Sequence, residues 1–495
     1  MKVDDRKGEG SDLINLGIIA DRRGLYEKSK EYYERALAIS LESGSRRGEA
    51  VSYANLGSCL QSIGEYDMAE KYFRKALRLS RDIRDSLNEF KCLCKLTVLK
   101  VSEVDIKAAF SYLFESIEKF DTLRGSLKDN DQLKTSLLEE HGTYPYKMLS
   151  RLLSTSAKPQ DALYVEELRR ARGLADLMAT QYSFKEQITG SRETWCGIQN
   201  VIPREGDCAC LYISIDKASV RFWVLKATRA ILFLKREVNL HPSEVTGLVP
   251  ALDEFFSGSF RGILPEEKCE DRSFDDTESM SLVHENCALM RDDDAVKVIK
   301  ANLHLCHKII IAPVADLLKE SEVIIVPDSC MYQVPFAALR EEGGKYFSET
   351  ARIRIVPSLT TLKIIQESPP EYQRQAGALI VGDPEVGEVI YNGRRRTIEP
   401  LPCARNEAEM IGRLLGVTPL TAHHATKEAV LQAINSVSLI HLAAHGDAER
   451  GEILLSPKRP TPFIPREEAY LLTMADISQT KLRAKLVVLS CCHSA

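Results

Sequence analysis

A 40-residue internal repeat opens the chain and constrains its fold more than any other feature. The segment that begins at Asn15, NLGIIADRRGLYEKSKEYYERALAIS, aligns with NLGSCLQSIGEYDMAEKYFRKALRLS, which begins at Asn55. A third, weaker copy brings Leu96 into register with Leu56. Fixed periods of this length are typical of solenoids, in which each unit buries its apolar face only against its neighbours. The repeat therefore predicts a stack of helix pairs.

Small and aromatic residues recur at matching positions of the two clear copies. Gly17 and Gly57 lie on the first helix of their units, and Tyr33 and Phe73 lie on the second. The small residue lets paired helices approach closely, and the ring fills the space between pairs. This pattern resembles the tetratricopeptide repeat. The resemblance implies an α-solenoid of about three such units over residues 1–122.

The resemblance also implies a binding role. Tetratricopeptide arrays present a concave groove that holds an extended peptide or a helix. Asn15 and Asn55 lie on the first helix of their units, and we expect them to contact the main chain of a protein or peptide partner in this groove. The alternative is that the repeats only support their neighbours.

The third copy and the start of the chain depart from the pattern of a complete array. In the third copy Thr97 replaces the glycine, and Lys100 stands at an inward position. The letters RKGE at 6–9 echo RRGE at 46–49, so the chain opens in phase with the array and without the polar cap that solenoid ends need. We therefore expect a fragment of a longer repeat protein.

Composition limits the function classes. The chain has 495 residues, 28% of them charged and 44% hydrophobic, which is the profile of a soluble protein with several domains. A net charge of −5, no signal peptide and no run of 18 apolar residues lead us to expect neither nucleic acid nor membrane as a partner. Thirteen scattered cysteines favour a reducing compartment, the cytoplasm or nucleus, over disulfides. We expect no cofactor and no metal.

The pattern changes after the repeats. Residues 123–194 stay helical but lose the period, and we interpret them as a connector. The apolar runs at 209–213 and 220–225 flank Asp216-Lys217 and predict a β-hairpin. Residues 258–294 are acidic and serine-rich, and we predict a disordered insertion there.

The C-terminal region alternates apolar strands with helices, which predicts a parallel sheet covered on both faces. The predicted strands are EVIIVPD at 322–328, ARIRIVPS at 351–358, GALIVGDP at 377–384, SLIHLAAHG at 438–446 and KLVVLS at 485–490. The last two deliver His445-Gly446 and Cys491-Cys492. Because chemistry collects at the carboxyl ends of parallel strands, we expect these residues at one edge of the sheet.

Several motifs of this region resemble, in order, those of a CHAT domain, the caspase-like peptidase module found attached to tetratricopeptide repeats. The matching stretches are EVIIVPDSCMYQVPFAAL, RIVPSLTTL, ALIVGDP, LPCARNEAEMIGRLL, ATKEAV, LIHLAAHGD, LLTMADI and VVLSCC. The resemblance covers residues 195–495. It implies an α solenoid followed by an α/β caspase-like domain.

The resemblance implies a cysteine–histidine dyad. The family pattern Leu-Ser-any-Cys makes Cys492 the nucleophile, with His445 as its base and the N–H groups of Gly446 and Cys492 as the oxyanion hole. Adjacent residues at a strand end point to opposite sides, so only one of Cys491 and Cys492 can face His445. His493 is a weaker candidate base, because it follows the nucleophile directly and would point away.

Other interpretations of these residues remain open. The apolar strand with its cysteines could be packed core alone. His441 and His445 are four residues apart, as in a zinc helix, but the stretch is a strand and lacks the glutamate of HExxH. The arginines at 394–396 predict a solvated loop, with a processing site as the alternative.

Two functions follow from these predictions. The first is a caspase-like cysteine endopeptidase whose repeats recruit a partner or substrate. The second is a non-enzymatic scaffold with a structural or dimerising CHAT domain, for which animal relatives suggest a role in cell division; homo-oligomerisation fits either. A caspase-like sheet continues beyond its nucleophile, whereas this chain stops at Ala495. We therefore expect a domain truncated just after the nucleophile strand, and an inactive chain.

Overall fold

Eight helices form the described part of the first of two units into which the chain divides, Met1–Gly173 and Leu174–Ala495. The computed structural model describes residues 2–126, 143–182, 206–228, 230–240, 251–260, 292–341, 343–366, 377–447, 450–458, 463–480, 482 and 484–491. The helices are α1 (Lys2–Arg22), α2 (Tyr26–Glu42), α3 (Arg46–Ile63), α4 (Tyr66–Asp82), α5 (Ser86–Ser102), α6 (Ile106–Ser126), α7 (Thr143–Thr155) and α8 (Pro159–Tyr182), the last of which runs past the division. Helices α1 to α6 make three successive pairs.

Glycine and an aromatic ring meet inside each of the first two pairs. Tyr33 and Phe73 are buried. A Cβ atom added at Gly17 would lie 2.4 Å from the Tyr33 ring, and one added at Gly57 would lie 2.7 Å from the Phe73 ring. Carbon atoms cannot approach that closely, so glycine is required where the helices touch. The predicted role of the recurring small residue is confirmed.

The inward lysine of the third pair is neutralised by its neighbours. Lys100 is buried, and its Nζ lies 2.8 Å from a carboxylate oxygen of Glu70 and 2.8 Å from one of Glu103. Thr97, at the glycine position, donates its hydroxyl to the Leu93 carbonyl at 2.9 Å. Both departures from the repeat pattern are therefore accommodated by local hydrogen bonds.

The second unit contains a five-stranded sheet in the order β3-β2-β1-β4-β5. Its elements are β1 (Cys208–Ile215), β2 (Ser219–Lys226), β3 (Ile231–Glu237), α9 (Leu252–Gly258), α10 (Asp292–Cys306), β4 (Glu322–Val326), α11 (Phe347–Thr350) and β5 (Arg352–Ile355). Strands β1 to β3 form antiparallel pairs, and β4 pairs in parallel with β1 and β5. The predicted hairpin at Asp216-Lys217 is confirmed. Most of the predicted insertion 258–294 lies outside the described residues.

A long apolar stretch covers this sheet. Residues 297–317 continue α10 through a π-helical turn (His307–Ile311) and a 3₁₀ turn (Ala312–Leu317), and by length and composition they could cross a membrane. Cys306, Ile310 and Val314 are fully buried in one cluster with sheet residues such as Val323 and Ile325. The stretch therefore forms part of the core of the second unit.

A separate four-stranded parallel sheet follows, in the order β14-β10-β6-β9. The elements of this region are α12 (Leu359–Gln366), β6 (Ala378–Pro384), β7 (Gly387–Tyr391), β8 (Arg394–Ile398), α13 (Pro402–Leu415), β9 (Leu420–Ala422), α14 (Lys427–Ala433), β10 (Leu439–Ala443), β11 (Gly446–Asp447), β12 (Glu452–Leu454), β13 (Leu471–Leu472), α15 (Met474–Ser478) and β14 (Leu486–Leu489). The five predicted strands are all present. However, they belong to two sheets instead of one, because β4 and β5 pair with the N-terminal strands.

Helix α13 packs closely on the second sheet. A Cβ atom added at Gly382 of β6 would lie 2.3 Å from the Ala408 Cβ and 2.7 Å from the Ala404 carbonyl oxygen. Small residues on both sides therefore set the distance between helix and strand.

The arginines at 394–396 lie in a strand, not in the predicted loop. Strand β8 pairs antiparallel with β7, and the turn between them is Asn392-Gly393, both with positive φ. An Asn-Gly pair of this kind favours a two-residue hairpin turn. The loop prediction missed this signal.

Candidate functional site

Strands β10 and β14 are parallel neighbours, with Leu439 opposite Leu486 and Leu442 opposite Leu489. His445 and Cys491 follow the two strands by two residues each, so both leave the sheet at the same edge. The predicted pairing of these two strands is confirmed, whereas the dyad of His445 and Cys492 stays a prediction.

Cys491 packs directly against the glycine that follows the histidine. A Cβ atom added at Gly446 would lie 3.1 Å from the Cys491 Cβ and 3.8 Å from its Sγ. The Cys491 Sγ lies 3.7 Å from the carbonyl oxygen of Leu442 on β10. Cys492 and His493 lie outside the described residues, so the choice of nucleophile stays a prediction.

His445 is held by a main-chain oxygen. The residue is 9% exposed, and Nε2 lies 3.0 Å from the Glu399 carbonyl oxygen in the turn between β8 and α13. A carbonyl only accepts hydrogen bonds, so in the neutral ring the proton sits on Nε2. Nδ1 is then the basic nitrogen, and it is buried without a hydrogen-bond partner among the described residues. Sequence reasoning did not identify Glu399, because a main-chain acceptor leaves no side-chain signal.

The N–H of Gly446 is directed away from strand β12. Gly446 pairs with Ile453, and the Leu454 N–H donates to the His445 carbonyl at 2.9 Å. Hydrogen-bonded and non-hydrogen-bonded pairs alternate along an antiparallel ladder. Since His445 and Leu454 form a hydrogen-bonded pair, Gly446 and Ile453 form a non-hydrogen-bonded pair, and their N–H and C=O groups point away from the opposite strand. The glycine N–H is therefore not used in this ladder, as an oxyanion donor requires.

His441 does not share a ligand site with His445. It is buried, and its Nε2 lies 3.0 Å from a carboxylate oxygen of Glu407 on α13. The two imidazoles thus lie against different oxygen atoms. In the described part of the chain no group of three or more His, Cys, Asp or Glu side chains is arranged to hold a metal ion.

A buried aspartate fixes α13 beside the site. Asp383, at the end of β6 with a positive φ of 49°, accepts the Leu401 N–H at 2.6 Å and the Arg405 Nε–H at 2.8 Å. These bonds anchor the segment that carries Glu399. Sequence reasoning missed the role of Asp383, although the GDP letters after a buried strand indicate a turn that could have drawn attention to it.

A polar network holds the segment after Gly446. The Tyr391 hydroxyl donates to Asp447 at 2.7 Å, and the same carboxylate accepts the Arg450 N–H at 2.9 Å. The guanidinium of Arg450 lies 3.3 Å from Glu452 and 5.3 Å from the centre of the Tyr391 ring. Burial, reinforced by the bond to Asp447, raises the pKa of Tyr391 well above its ordinary value, and burial also raises the pKa of Glu452. This network too was not predicted.

The predicted groove residues occupy equivalent positions on α1 and α3. Asn15 is exposed and Asn55 is half-buried. Lys95 holds the same position on α5 and donates to the hydroxyl of Ser58. Burial lowers the pKa of Lys95 and raises that of Asp21, while the charge of Lys95 opposes the shift at Asp21. The three positions, one in each unit, form a row that changes from two amides to a half-buried lysine along the array.

Two parts of the chain, one in the helix pairs and one in the α/β region, match family models. The family model for the tetratricopeptide repeat matches residues 12–82, and the model for the CHAT domain matches residues 300–495. The predicted combination and fold class are confirmed. Strands β1 to β3 precede the CHAT match.

Two curated proteins with the same name are similar to parts of this chain. The chain is 28% identical over 173 residues to tetratricopeptide repeat protein 28 of Homo sapiens, covering 32% of this chain and 7% of that protein. It is 26% identical over 242 residues to the Mus musculus protein of that name, covering 40% and 10% respectively. The chain thus spans a tenth or less of the length of these relatives.

One solved structure that matches is the crystal structure of BtubC (BKLC) from P. vanneervenii. It is 21% identical, with a TM-score of 0.29, and the match covers 34% of this chain and 64% of that one.

Proposed function

We propose that the CHAT domain carries a cysteine endopeptidase site, with His445 as the base and Cys492 as the nucleophile. The observation that supports this most strongly is the buried Nδ1 of His445 beside the end of β14, which has no hydrogen-bond partner in the part of the chain that the structure describes. A buried nitrogen without a hydrogen bond destabilises the folded protein. A role as the base that accepts a thiol proton would explain why such a nitrogen is retained.

The proposed reaction starts with transfer of the Cys492 thiol proton to Nδ1 of His445. The thiolate then forms a bond to the carbonyl carbon of the peptide, and the resulting oxyanion accepts hydrogen bonds from the N–H groups of Gly446 and Cys492. The imidazolium returns the proton to the leaving amine as the C–N bond breaks. Water then attacks the thioester carbon while Nδ1 takes its proton. The C–S bond breaks, the acid leaves, and the Cys492 thiolate regains the proton from Nδ1.

Cys491 has a packing role in this proposal. Its side chain lies against Gly446 and the Leu442 carbonyl, where it keeps the glycine backbone in place. Cys491→Ser should therefore leave the nucleophile reactive, although the smaller, more polar atom loosens the contact.

A peptide probe with an electrophilic warhead tests the proposal on the full chain. An assembled site predicts a covalent adduct on Cys492 by peptide mass spectrometry, abolished in Cys492→Ala and reduced at least about a hundredfold in rate in His445→Ala, since general bases contribute on that scale. Such an adduct would overturn the expectation that this chain is inactive. Cys491→Ser is the matched control, and Cys403, an exposed thiol on α13, reports non-specific labelling. Equal labelling of Cys492 and Cys403, or labelling independent of His445, would contradict the peptidase.

We further propose that the repeats bind a protein or peptide partner along the row of Asn15, Asn55 and Lys95. Two amides and an ammonium group are hydrogen-bond donors suited to main-chain carbonyls and acidic side chains of an extended ligand. A library of extended peptides, screened by fluorescence anisotropy, should give ligands whose affinity falls about tenfold in Asn55→Ala, as expected for loss of a well-placed contact. Glu65→Ala, an exposed change outside the row, is the control. Ligands unaffected by Asn55→Ala would refute this site.

The two proposals are separable. Peptide binding without thiol reactivity would favour the non-enzymatic scaffold, because the repeats bind independently of the CHAT chemistry.

A further inference from the structure

The side chain of His441, four residues before the proposed base on the same strand, faces helix α13. Ile440 and Leu442 belong to the apolar cluster on one face of β10. Ala443 packs with Ala404 of α13 on the other face. Because side chains alternate along a strand, His441 shares the face of Ala443.

A carboxylate on α13 contacts the His441 ring in otherwise apolar surroundings. Nε2 lies 3.0 Å from Oε1 of Glu407, and the two side chains are 5% and 27% exposed. Within the described part of the chain Nε2 has no aligned hydrogen bond, so its polar interaction is this contact with the carboxylate. The strand residues in register with His441 are apolar, Ile380 on β6 and Val488 on β14. Burial strengthens a polar contact of this kind, because little water competes with it.

The same helix follows the group that holds His445. Glu399, whose carbonyl oxygen lies 3.0 Å from Nε2 of His445, precedes α13 by three residues. Asp383 anchors the start of the helix through the Leu401 N–H. Glu407 contacts β10 six residues after Leu401. Strand β10 and this segment are therefore joined at two points, and each point involves one histidine of the strand.

We propose that His441 and Glu407 form a positioning pair for His445. Their contact fixes the distance of α13 from β10, and thereby the place of the Glu399 carbonyl. That carbonyl selects the Nε2–H tautomer of His445 and leaves Nδ1 basic. The inference rests on the proposed role of His445 as the base. In this arrangement neither residue of the pair exchanges a proton with the substrate, and both act through the orientation of the His445 ring.

The alternative is a contact that only stabilises the domain. Such a contact would change the free energy of unfolding when it is removed, but it would leave the tautomer of His445 as it is. The tautomer therefore separates a positioning role from a structural one.

Side-chain nitrogen NMR of the full chain, with isotope-labelled histidine, reads this tautomer at a pH above the ordinary pKa of histidine. The wild type should show the Nε2–H form of His445, assigned by its loss in His445→Ala. Glu407→Gln removes the charge and keeps the shape, and it should convert this signal to a mixture of both tautomers. His441→Gln should do the same.

Two matched variants serve as controls for this measurement. Glu409→Gln removes an exposed carboxylate from the same helix. Ile440→Val trims the neighbouring residue of the same strand on the opposite face. Both should leave the tautomer of His445 unchanged.

The rate at which Cys492 reacts with the peptide probe gives a second measurement. Each glutamine variant should lower the limiting rate of labelling about tenfold and leave the binding constant of the probe unchanged, because a misoriented base affects the chemical step. The double variant, His441→Gln with Glu407→Gln, should lose no more than either single variant, since two partners of one contact are not additive.

The failures of the two proposals are distinguishable. Absence of labelling in the wild type would contradict the peptidase, whereas the tautomer of His445 would still test the pair. The pair is overturned by an Nδ1–H form of His445 in the wild type, by a tautomer that Glu407→Gln leaves unchanged, by additive losses in the double variant, or by equal effects in the two controls. If circular dichroism shows that Glu407→Gln does not fold, Glu407→Asp takes its place, because it keeps the charge and lengthens the contact. It should give a smaller change of tautomer in the same direction, and no change would overturn the pair.

Discussion

Replacing Gly57 by alanine should destabilise the repeats, although alanine is the better helix former. Propensity alone favours alanine by about 1 kcal/mol. However, the added Cβ would lie 2.7 Å from two carbons of the Phe73 ring and 3.2 Å from the Ala69 carbonyl oxygen. The buried ring cannot leave without opening the helix pair. Overpacking of this kind typically costs about 1–3 kcal/mol, so after the gain from propensity we expect a net loss of up to about 2 kcal/mol.

Gly8→Ala is the matched control. Gly8 also lies inside a helix, α1, but an added Cβ there meets nothing within 4 Å. This variant should gain up to about 1 kcal/mol from propensity alone.

Calorimetry of the full chain would measure both variants, with hydrogen exchange of peptides from α3 and α4 to locate the effect. A loss of this size should lower the melting temperature of the repeat transition by on the order of 4 °C. If Gly57→Ala were as stable as Gly8→Ala, the close approach of ring and glycine could not be what spaces the helices.

Three further predictions concern the CHAT domain. Asp383→Ala should cost about 2–3 kcal/mol in urea denaturation, since it leaves a buried N–H without an acceptor, whereas Glu388→Ala, at an exposed ion pair, should cost less than about 0.5 kcal/mol. Tyr391→Phe should lose about 1–2 kcal/mol, the contribution of a hydrogen bond to the Asp447 carboxylate. Because burial raises the pKa of Glu452, the protonated form is favoured by folding, and this stability is lost as the pH rises through the folded pKa. The wild type should therefore gain stability relative to Glu452→Gln as the pH falls from neutral towards the ordinary pKa range of a carboxyl group. A constant difference, or one of opposite sign, would contradict burial as the cause.

The sequence predicted local elements better than their assembly. Apolar runs identified all five C-terminal strands, and the strand-end rule placed His445 and Cys491 at one edge, because both signals depend on short segments. Which strands share a sheet depends on long-range pairing. The pairing of β4 with β1 joins segments separated by more than a hundred residues. The local sequence of one strand does not indicate which distant strand it pairs with.

The parts of the site that sequence reasoning missed share a different cause. Asp383 acts on the site through the main-chain N–H of Leu401, and Tyr391 acts through Asp447, the residue after Gly446. The residue types alone do not indicate these contacts between distant segments. Lys100 shows the converse: its type suggested a defect in the repeat, and only the contacts with Glu70 and Glu103 reveal that it is compensated.

The carbonyl that orients His445 has a consequence for genetic screens. Every amino acid provides the same oxygen at position 399, so a saturation library would score that site as tolerant. The sensitive positions should instead be those that fix the main chain around position 399. One of them is Asp383, which accepts hydrogen bonds from Leu401 and Arg405 at the start of α13. A search limited to side chains would overlook position 399, although its main-chain oxygen holds the imidazole of His445.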